Sequence, residues 1–169
     1  MDGTPAAPVG RPPREDTRAG WLLVAFQIFL FGVLGLELLR ARDAVSPRGA
    51  AGLGGAIAGA TAVGVASRRL GRELRAHPAP SPTAVLRVDG PYRLIRHPIY
   101  SGLLLLAGGL AVVSATVRAA AAFVALVAVL SLKARVEERL LAERFPEYRD
   151  YARRTPRFLP RLPRPGVRG

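Results

Sequence analysis

Two short polar segments carry the side chains best suited to chemistry, and the first is Gly90–Gly102, which reads GPYRLIRHPIYSG. Pro98 disfavours helix at His97 and suits the first turn of a helix that begins there. The unpaired N–H groups and the dipole at such a helix start attract an anionic group such as a carboxylate. Tyr92 and Tyr100 would add aromatic surface and hydroxyl donors. The segment therefore indicates either an anion-binding pocket at a membrane surface or an interfacial anchor of aromatic and basic residues.

The second polar segment, Lys133–Phe145, reads KARVEERLLAERF and predicts an amphipathic helix. Lys133 and Glu137 are four residues apart and so share a face of that helix. The adjacent Glu137 and Glu138 carboxylates suit an amine or a sulfonium cation, whereas the alternative is a solvated face with i,i+4 ion pairs. The apolar positions at helical spacing are Val136, Leu140, Leu141 and Phe145.

Long apolar runs must position these two segments. Trp21–Leu39 and Gly49–Ser67 each have about the 20 residues that a transmembrane helix needs. Tyr100–Leu132 is too long for one span and predicts a helical hairpin that turns near residues 114–118. The sequence thus predicts an all-α membrane protein with about four transmembrane helices and a cytoplasmic amphipathic helix. The predicted ranges are 21–39, 49–67, 99–114 and 117–132 for the spans and 133–146 for the cytoplasmic helix.

The second span consists mostly of glycine and alanine. Gly55 and Gly59 stand four residues apart, and Ala60 and Gly64 repeat that interval. Small residues at this spacing let two helix backbones approach closely. A flexible linker is the alternative, but the length of the run and its lack of charge favour a packed helix.

Charge is distributed along the chain in a way typical of a polytopic membrane protein. The 25 lysines and arginines outnumber the 12 acidic residues and concentrate between uncharged runs, unlike the basic surface of a nucleic-acid-binding protein. With no cysteine and two histidines, disulfides and thiolate or histidine-rich metal sites are excluded. We expect a disordered leader at 1–20, a single membrane domain at 21–160 and a flexible tail at 161–169. The positive-inside rule predicts that both termini are cytoplasmic. The membrane itself is expected to be a bacterial inner membrane, as the resemblance to bacterial proteins described below implies.

The first polar segment resembles the G-x-Y-x-x-x-R-H-P-x-Y-x-G signature of isoprenylcysteine carboxyl methyltransferases and their bacterial relatives, matched here from Gly90 to Gly102. The resemblance implies contacts with S-adenosylmethionine from a short series of residues. A position just ahead of the signature would contribute as well, although the histidine usual there is absent. The implied contacts are Leu86, Tyr92, His97, Pro98, Ile99 and Tyr100.

The second segment and the chain after it resemble the same family. Its members end the last span with a basic residue and Glu-Glu, followed by a Phe-x-Glu-x-Tyr-x-x-Tyr-like stretch and a proline-containing tail. Here these are Glu137-Glu138, Phe145-Pro-Glu-Tyr148 with Tyr151, and Thr155-Pro-Arg-Phe158-Leu-Pro160. The resemblance, which covers about residues 60–160, implies that Glu137 binds cofactor and Lys133 binds substrate. The phospholipid methyltransferase branch similarly uses the glutamate pair, which adds Glu138.

The implied function is S-adenosylmethionine-dependent methyl transfer at the cytoplasmic membrane face, most simply to a carboxylate on an isoprenoid or other lipophilic substrate. A carboxylate is already nucleophilic at neutral pH, so no catalytic base is required. A cation would hold it, with Lys133 the first candidate and Arg96 and Arg69 behind it. An amine acceptor, as in phospholipid N-methylation, would need a proton sink such as Glu138.

Two other classes stay open. Membrane sterol-type reductases, which use NADPH, resemble R-H-P-N-Y-x-G-E, but Ile99 and Leu103 stand here at the Asn and Glu positions. A non-enzymatic adaptor whose basic tail binds anionic lipid would explain the arginines, but not the two polar segments together.

Overall fold

The computed structural model describes residues 14–41, 46–71, 76 and 85–161, and every regular element within those ranges is helical. A 3₁₀ turn, Gly90–Arg93, lies between the second and third helices. The prediction of an all-α membrane fold is therefore confirmed. The α-helices are α1 (Arg14–Arg40), α2 (Pro47–Leu70), α3 (Pro98–Ser114), α4 (Val117–Arg144) and α5 (Tyr148–Arg154).

Three of these helices, α1, α2 and α4, are long and apolar enough to cross a membrane, and α3 is a shorter apolar helix of 17 residues. At 1.5 Å per residue α3 is about 25 Å long, which is less than the roughly 30 Å of a bilayer's hydrocarbon core. The end of α3 that carries His97 therefore lies at or slightly below the membrane surface if its other end reaches the opposite surface.

The segment predicted as a separate cytoplasmic helix, 133–146, is continuous with the last span. No glycine or proline interrupts the chain between Leu132 and Arg144, so the helix propagates from the apolar span into the amphipathic segment. Similarly, α1 begins at Arg14, inside the predicted leader. Residues 1–13 of that leader, and residues 162–169 of the predicted tail, lie outside the described part of the chain.

The helix boundaries follow from local chemistry. Ser46 caps α2 by accepting a hydrogen bond from the Gly49 amide at 3.1 Å, and Thr116 caps α4 by accepting one from the Ala119 amide at 3.1 Å. Between α3 and α4 the chain reverses over two residues, with Ala115 in the left-handed region at φ 50°. The predicted hairpin is therefore confirmed, and its turn lies at residues 115–116.

Close contact between α2 and α3 depends on glycine. A Cβ atom added to Gly59 would meet the Gly102 carbonyl oxygen at 2.6 Å and lie still closer to the Leu106 amide nitrogen. Further along the helices, Gly52 packs in the same way on Gly109. The predicted Ala60–Gly64 repeat is on a different face: both residues are exposed, and a Cβ on Gly64 would touch nothing within 4 Å.

At the end of the bundle away from His97, one buried carboxylate joins α1 to the α3–α4 hairpin. Glu37 is 3% exposed and accepts hydrogen bonds from Thr116 Oγ1 at 2.7 Å and Arg118 Nε at 2.9 Å. Charge-assisted bonds of this kind are stronger than neutral ones. They fix the position of α1 beside α4, and this matters because α1 also contributes a side chain to the polar cluster at the other end.

Candidate functional site

The segment that ends in His97 is held by the C-terminal part of the chain. The amides of Arg96 and His97 donate hydrogen bonds to the carbonyls of Pro156 and Arg157, at 2.8 and 3.1 Å. In the first turn of α3, Ser101 Oγ donates a 2.7 Å bond to the carbonyl oxygen of the next residue along, Phe158. These bonds fix the direction in which the His97 ring enters the bundle.

A second anchor lies one turn earlier in the chain. The Tyr151 hydroxyl, carried by α5, donates a buried hydrogen bond to the Tyr92 carbonyl in the 3₁₀ turn. Burial raises the pKa of Tyr151 to about 12, although the nearby Arg96 guanidinium opposes the rise. Burial also raises the pKa of Tyr92, and the negative charge of Glu137 adds to that rise. Both phenols are therefore neutral donors at physiological pH.

Glu138 is the centre of an ion-pair cluster. Arg157 binds it in a bidentate manner through Nε and Nη2, and the Arg96 guanidinium lies 3.2 Å from Oε1. His97 Nε2 is 3.0 Å from the same oxygen, and it must be the donor because a carboxylate only accepts. The hydrogen bond with Glu138 also raises the pKa of Arg157. Both oxygens of Glu138 are thus occupied by protein groups.

Glu137 faces the other side of the same imidazole. Its Oε2 atom is 3.6 Å from His97 Nδ1, which is beyond normal hydrogen-bonding distance, and its side chain is 31% exposed. The Tyr100 ring stacks on the imidazole with a centroid separation of 5.2 Å and an interplanar angle of 3°. The Tyr100 hydroxyl reaches the Glu137 carboxylate. His97 and Tyr100, at the start of α3, and Glu137, in the last turns of α4, form one cluster.

Lys133 lies directly beneath this cluster. Its ammonium group is 5.4 Å from the centroid of the Tyr100 ring, within the range of a cation–π contact, and it donates a 2.6 Å hydrogen bond to Gln27 Oε1 on α1. The residue is 1% exposed. A lysine this deeply buried needs such partners, because an unpaired ammonium would carry a large desolvation cost.

The structure brings together most of the predicted site residues but not all of them. Pro98 is buried and Ile99 half-buried in the first turn of α3, next to His97. Arg69 is separate: its side chain is 60% exposed, 4.0 Å from Asp89 on the loop side of the 3₁₀ turn. Leu86 is half-buried in the irregular segment before that turn. The residues that share the cluster are Tyr92, Arg96, His97, Tyr100, Lys133, Glu137 and Glu138.

Three residues that support the cluster through hydrogen bonds were not foreseen as functional. Arg157 lies between prolines in the tail, and an arginine there was the one available signal for a partner to a buried carboxylate. Gln27 interrupts an apolar span, which in itself indicates an intramembrane polar contact. Ser101 gave no signal, because serine is common in the first turn of helices.

The fold and the cluster define an α-helical membrane protein with a polar site at one end of its helices. The family model of the phospholipid methyltransferases matches residues 51–148, which is more than half of the chain. The chain therefore belongs to the phospholipid methyltransferase family.

Two curated relatives match over 79 residues, 46% of this chain. One is the cobalt-zinc-cadmium resistance protein CzcN of Cupriavidus metallidurans, 47% identical over 36% of its own length. The other is the nickel-cobalt-cadmium resistance protein NccN of Alcaligenes xylosoxydans xylosoxydans, 43% identical over 37% of its length. The match thus spans little more than a third of either relative. No solved structure matches the chain. Within the described ranges, no group of three or more histidine or acidic side chains could hold a metal ion.

Proposed function

We propose that the chain is an S-adenosylmethionine-dependent methyltransferase that O-methylates a carboxylate on an isoprenoid or other lipophilic substrate at the cytoplasmic membrane face. The main support is the cluster of His97, Tyr100 and Glu137, which come from two segments some 40 residues apart and lie within contact distance of one another. Membership of the phospholipid methyltransferase family supports the same reaction class and favours it over the nicotinamide-dependent reductase.

The residues of the cluster fit S-adenosylmethionine in their chemistry. Glu137 is partly exposed and has no arginine partner among the described residues, so its carboxylate is available to a ligand ammonium or sulfonium. Tyr92 and Tyr100 offer ring surface, and the backbone from Pro98 to Ile99 starts a helix whose first amides have no helical partner. When bound, S-adenosylmethionine supplies an activated methyl group. We assign Glu138 to positioning His97, because its oxygens already accept bonds from Arg157 and His97.

Lys133 is the cation proposed to hold the acceptor carboxylate. Its ammonium has three donors, of which Gln27 takes one. Arg96 is a weaker candidate because Glu138 already pairs with it. Arg69 is weaker still because its side chain, at the end of α2, is exposed and lies beside Asp89 instead of in the cluster. With an ionised acceptor the protein needs only to align the reacting groups and exclude water, and alignment alone can lower a barrier by about 7–11 kcal/mol.

The shortness of α3 suits a lipophilic substrate. A cluster at or just below the membrane surface meets the head of a membrane-embedded molecule while its tail stays between the helices. The exposed apolar faces of α1 and α2, which include Phe26, Phe29 and Ile57, are compatible with lipid around these two helices. A lipophilic substrate would therefore reach the cluster through the surrounding membrane lipid.

A second candidate is N-methylation of an amine, as the phospholipid branch would perform. The observation that favours it is the same exposed Glu137 carboxylate, which would attract an ammonium-bearing headgroup. In that case Glu138 or Glu137 would have to take the proton that the amine loses.

Binding measurements separate the proposed activity from its rivals. Purified full-length protein in detergent is titrated calorimetrically with S-adenosylhomocysteine and, separately, with NADPH. We expect saturable binding of S-adenosylhomocysteine only. Binding of NADPH alone would favour a reductase, and binding of neither would favour a lipid-binding adaptor. Carboxylate-bearing and amine-bearing lipids are then tested as acceptors with a radiolabelled methyl donor.

A further inference from the structure

A cleft lined by arginines lies on the outer side of Glu138, away from Glu137. Its volume is about 540 Å³, which is within the roughly 300–1,000 Å³ typical of ligand pockets. One wall is a face of α4 and the other a face of α5, and the small side chains of Ala142 and Ala152 leave the space between them open. The arginines that line it are Arg96, Arg135, Arg139, Arg149, Arg153 and Arg157.

Positive charge in this cleft is poorly balanced. Six of the described lining residues are arginines and one is acidic, and that one, Glu138, is already paired with Arg96, His97 and Arg157. Arg135, Arg139 and Arg149 are exposed, and within the described ranges no acidic side chain pairs with them. Like charges held on two facing helices repel each other, so an anion between them would relieve the repulsion.

Two buried donors at the base of the cleft lack hydrogen-bond partners of good geometry in the described part of the chain. They are the Tyr148 hydroxyl, on a residue only 3% exposed, and Arg96 Nε, on a side chain 15% exposed. Burial, followed by the charge of Glu138, raises the pKa of Tyr148, although the neighbouring Arg96 guanidinium opposes the rise, so the hydroxyl keeps its proton. A buried donor without a partner is destabilising, and an acceptor oxygen from a ligand would satisfy it.

We propose that this cleft binds the phosphate group of a phosphate-bearing anion. Phosphate has enough acceptor oxygens for several guanidinium groups and a tyrosine hydroxyl at once, and arginine forks match its geometry. The 28-residue helix α4 is longer than the hydrocarbon core of a bilayer is thick, so its last turns lie at the depth of lipid headgroups. The phosphate can therefore belong to a phospholipid headgroup or to a soluble phosphate compound, and this inference does not depend on methyl transfer.

Soluble phosphate is tested by calorimetric titration of the full-length protein in detergent with inorganic pyrophosphate. A triple variant, Arg135→Gln, Arg139→Gln and Arg149→Gln, should weaken binding at least about tenfold, because each charged hydrogen bond is worth about a factor of ten or more. The matched control, Arg87→Gln, Arg93→Gln and Arg161→Gln, removes the same charge at exposed positions outside the cleft. It should change the affinity by less than about twofold, as expected of remote charges that solvent and salt screen.

Lipid phosphate is tested by native mass spectrometry of the same proteins with dioleoylphosphatidylglycerol, and with dioleoylglycerol as the lipid that lacks phosphate. If the unmodified protein and the control retain phosphatidylglycerol while the cleft variant loses it, the cleft is a headgroup site. If only the binding of pyrophosphate depends on the cleft residues, the ligand is a soluble phosphate compound. Equal losses in the cleft and control variants, or no binding of either probe, would overturn the proposal.

Tyr148→Phe provides an independent check if the triple variant does not fold. It removes only a hydroxyl whose protein neighbour, the Arg96 guanidinium, makes no hydrogen bond of good geometry with it, so the unfolding temperature should change little. The affinity for whichever phosphate probe binds should fall severalfold. An unchanged affinity for both probes would show that the cleft is not a built site.

Discussion

Glu137 and Glu138 are neighbours in the chain, yet their surroundings give them different chemistry. Glu138 accepts bonds from His97 and from both sides of the Arg157 fork, so its negative charge is neutralised within the protein. Glu137 retains an exposed carboxylate beside Tyr100. The family resemblance implied cofactor contacts from both residues, but the sequence could not distinguish their surroundings, because the arginine that pairs with Glu138 comes from the tail, 19 residues later.

The first prediction concerns the exposed member of the pair. Glu137→Gln should weaken S-adenosylhomocysteine binding by about 10- to 150-fold, because a charge-assisted hydrogen bond is worth roughly 1.5–3 kcal/mol. Calorimetry measures it, with Glu143→Gln on the exposed face of the same helix as the control. Equal effects from both substitutions would return Glu137 to the role of a solvated surface residue.

The second prediction separates carboxyl from amine acceptors through Lys133. If the acceptor is a carboxylate, Lys133→Met should lower kcat/KM while cofactor affinity stays nearly intact, because an ammonium gives nothing to a positive sulfonium. Lys133→Glu should be worse than Lys133→Met, since it would repel the acceptor. Steady-state kinetics and unfolding temperatures are measured together, because Lys133 is buried and also bonds Gln27. Activity of Lys133→Glu equal to the unmodified protein would favour an amine acceptor instead.

The helices show which features of the fold follow from sequence patterns. The hairpin and the region of its turn, near residues 114–118, were predictable, because apolar run length and a lone charge at Arg118 are local signals. The α2–α3 contact was predicted only in kind. Several glycines at similar intervals allow more than one packing face, and the face used, through Gly52 and Gly59, depends on which residues α3 presents.

The third prediction tests that contact. Gly59→Ala should destabilise the protein by about 1–3 kcal/mol, because the new methyl group would overlap the backbone of α3 at Gly102 and Leu106. Gly64→Ala, on the same helix with open space around it, should be neutral or slightly stabilising. Thermal unfolding in detergent compares the two. A neutral Gly59→Ala would mean that α2 and α3 are not packed as closely as described.

The C-terminal tail contacts the candidate site, and only the arginine at position 157 gave a sign of this in the sequence. Residues 156–158 pair with the backbone and side chains at the start of α3, and Arg157 completes the Glu138 cluster. Long-range pairing between two proline-flanked segments has no periodicity that a sequence reading could detect. Candidate residues for the site could therefore be proposed from the sequence, while the backbone contacts that orient them could not.

The last prediction concerns the direction in which the bundle crosses the membrane. The proposed reaction and the arginine cleft lie at the end of the bundle that carries α5, and the positive-inside rule assigns that end to the cytoplasm. Because the chain has no cysteine, single cysteines report accessibility without background. In intact cells, a membrane-impermeant maleimide should label Val117→Cys, which is 87% exposed at the α3–α4 turn, and should leave Arg154→Cys on α5 unlabelled until the cells are opened. The reverse pattern would place His97 and the arginine cleft outside the cytoplasm. A donor made only inside the cell would then have no access to the site, and the proposed methyl transfer would fail while the phosphate site could still hold.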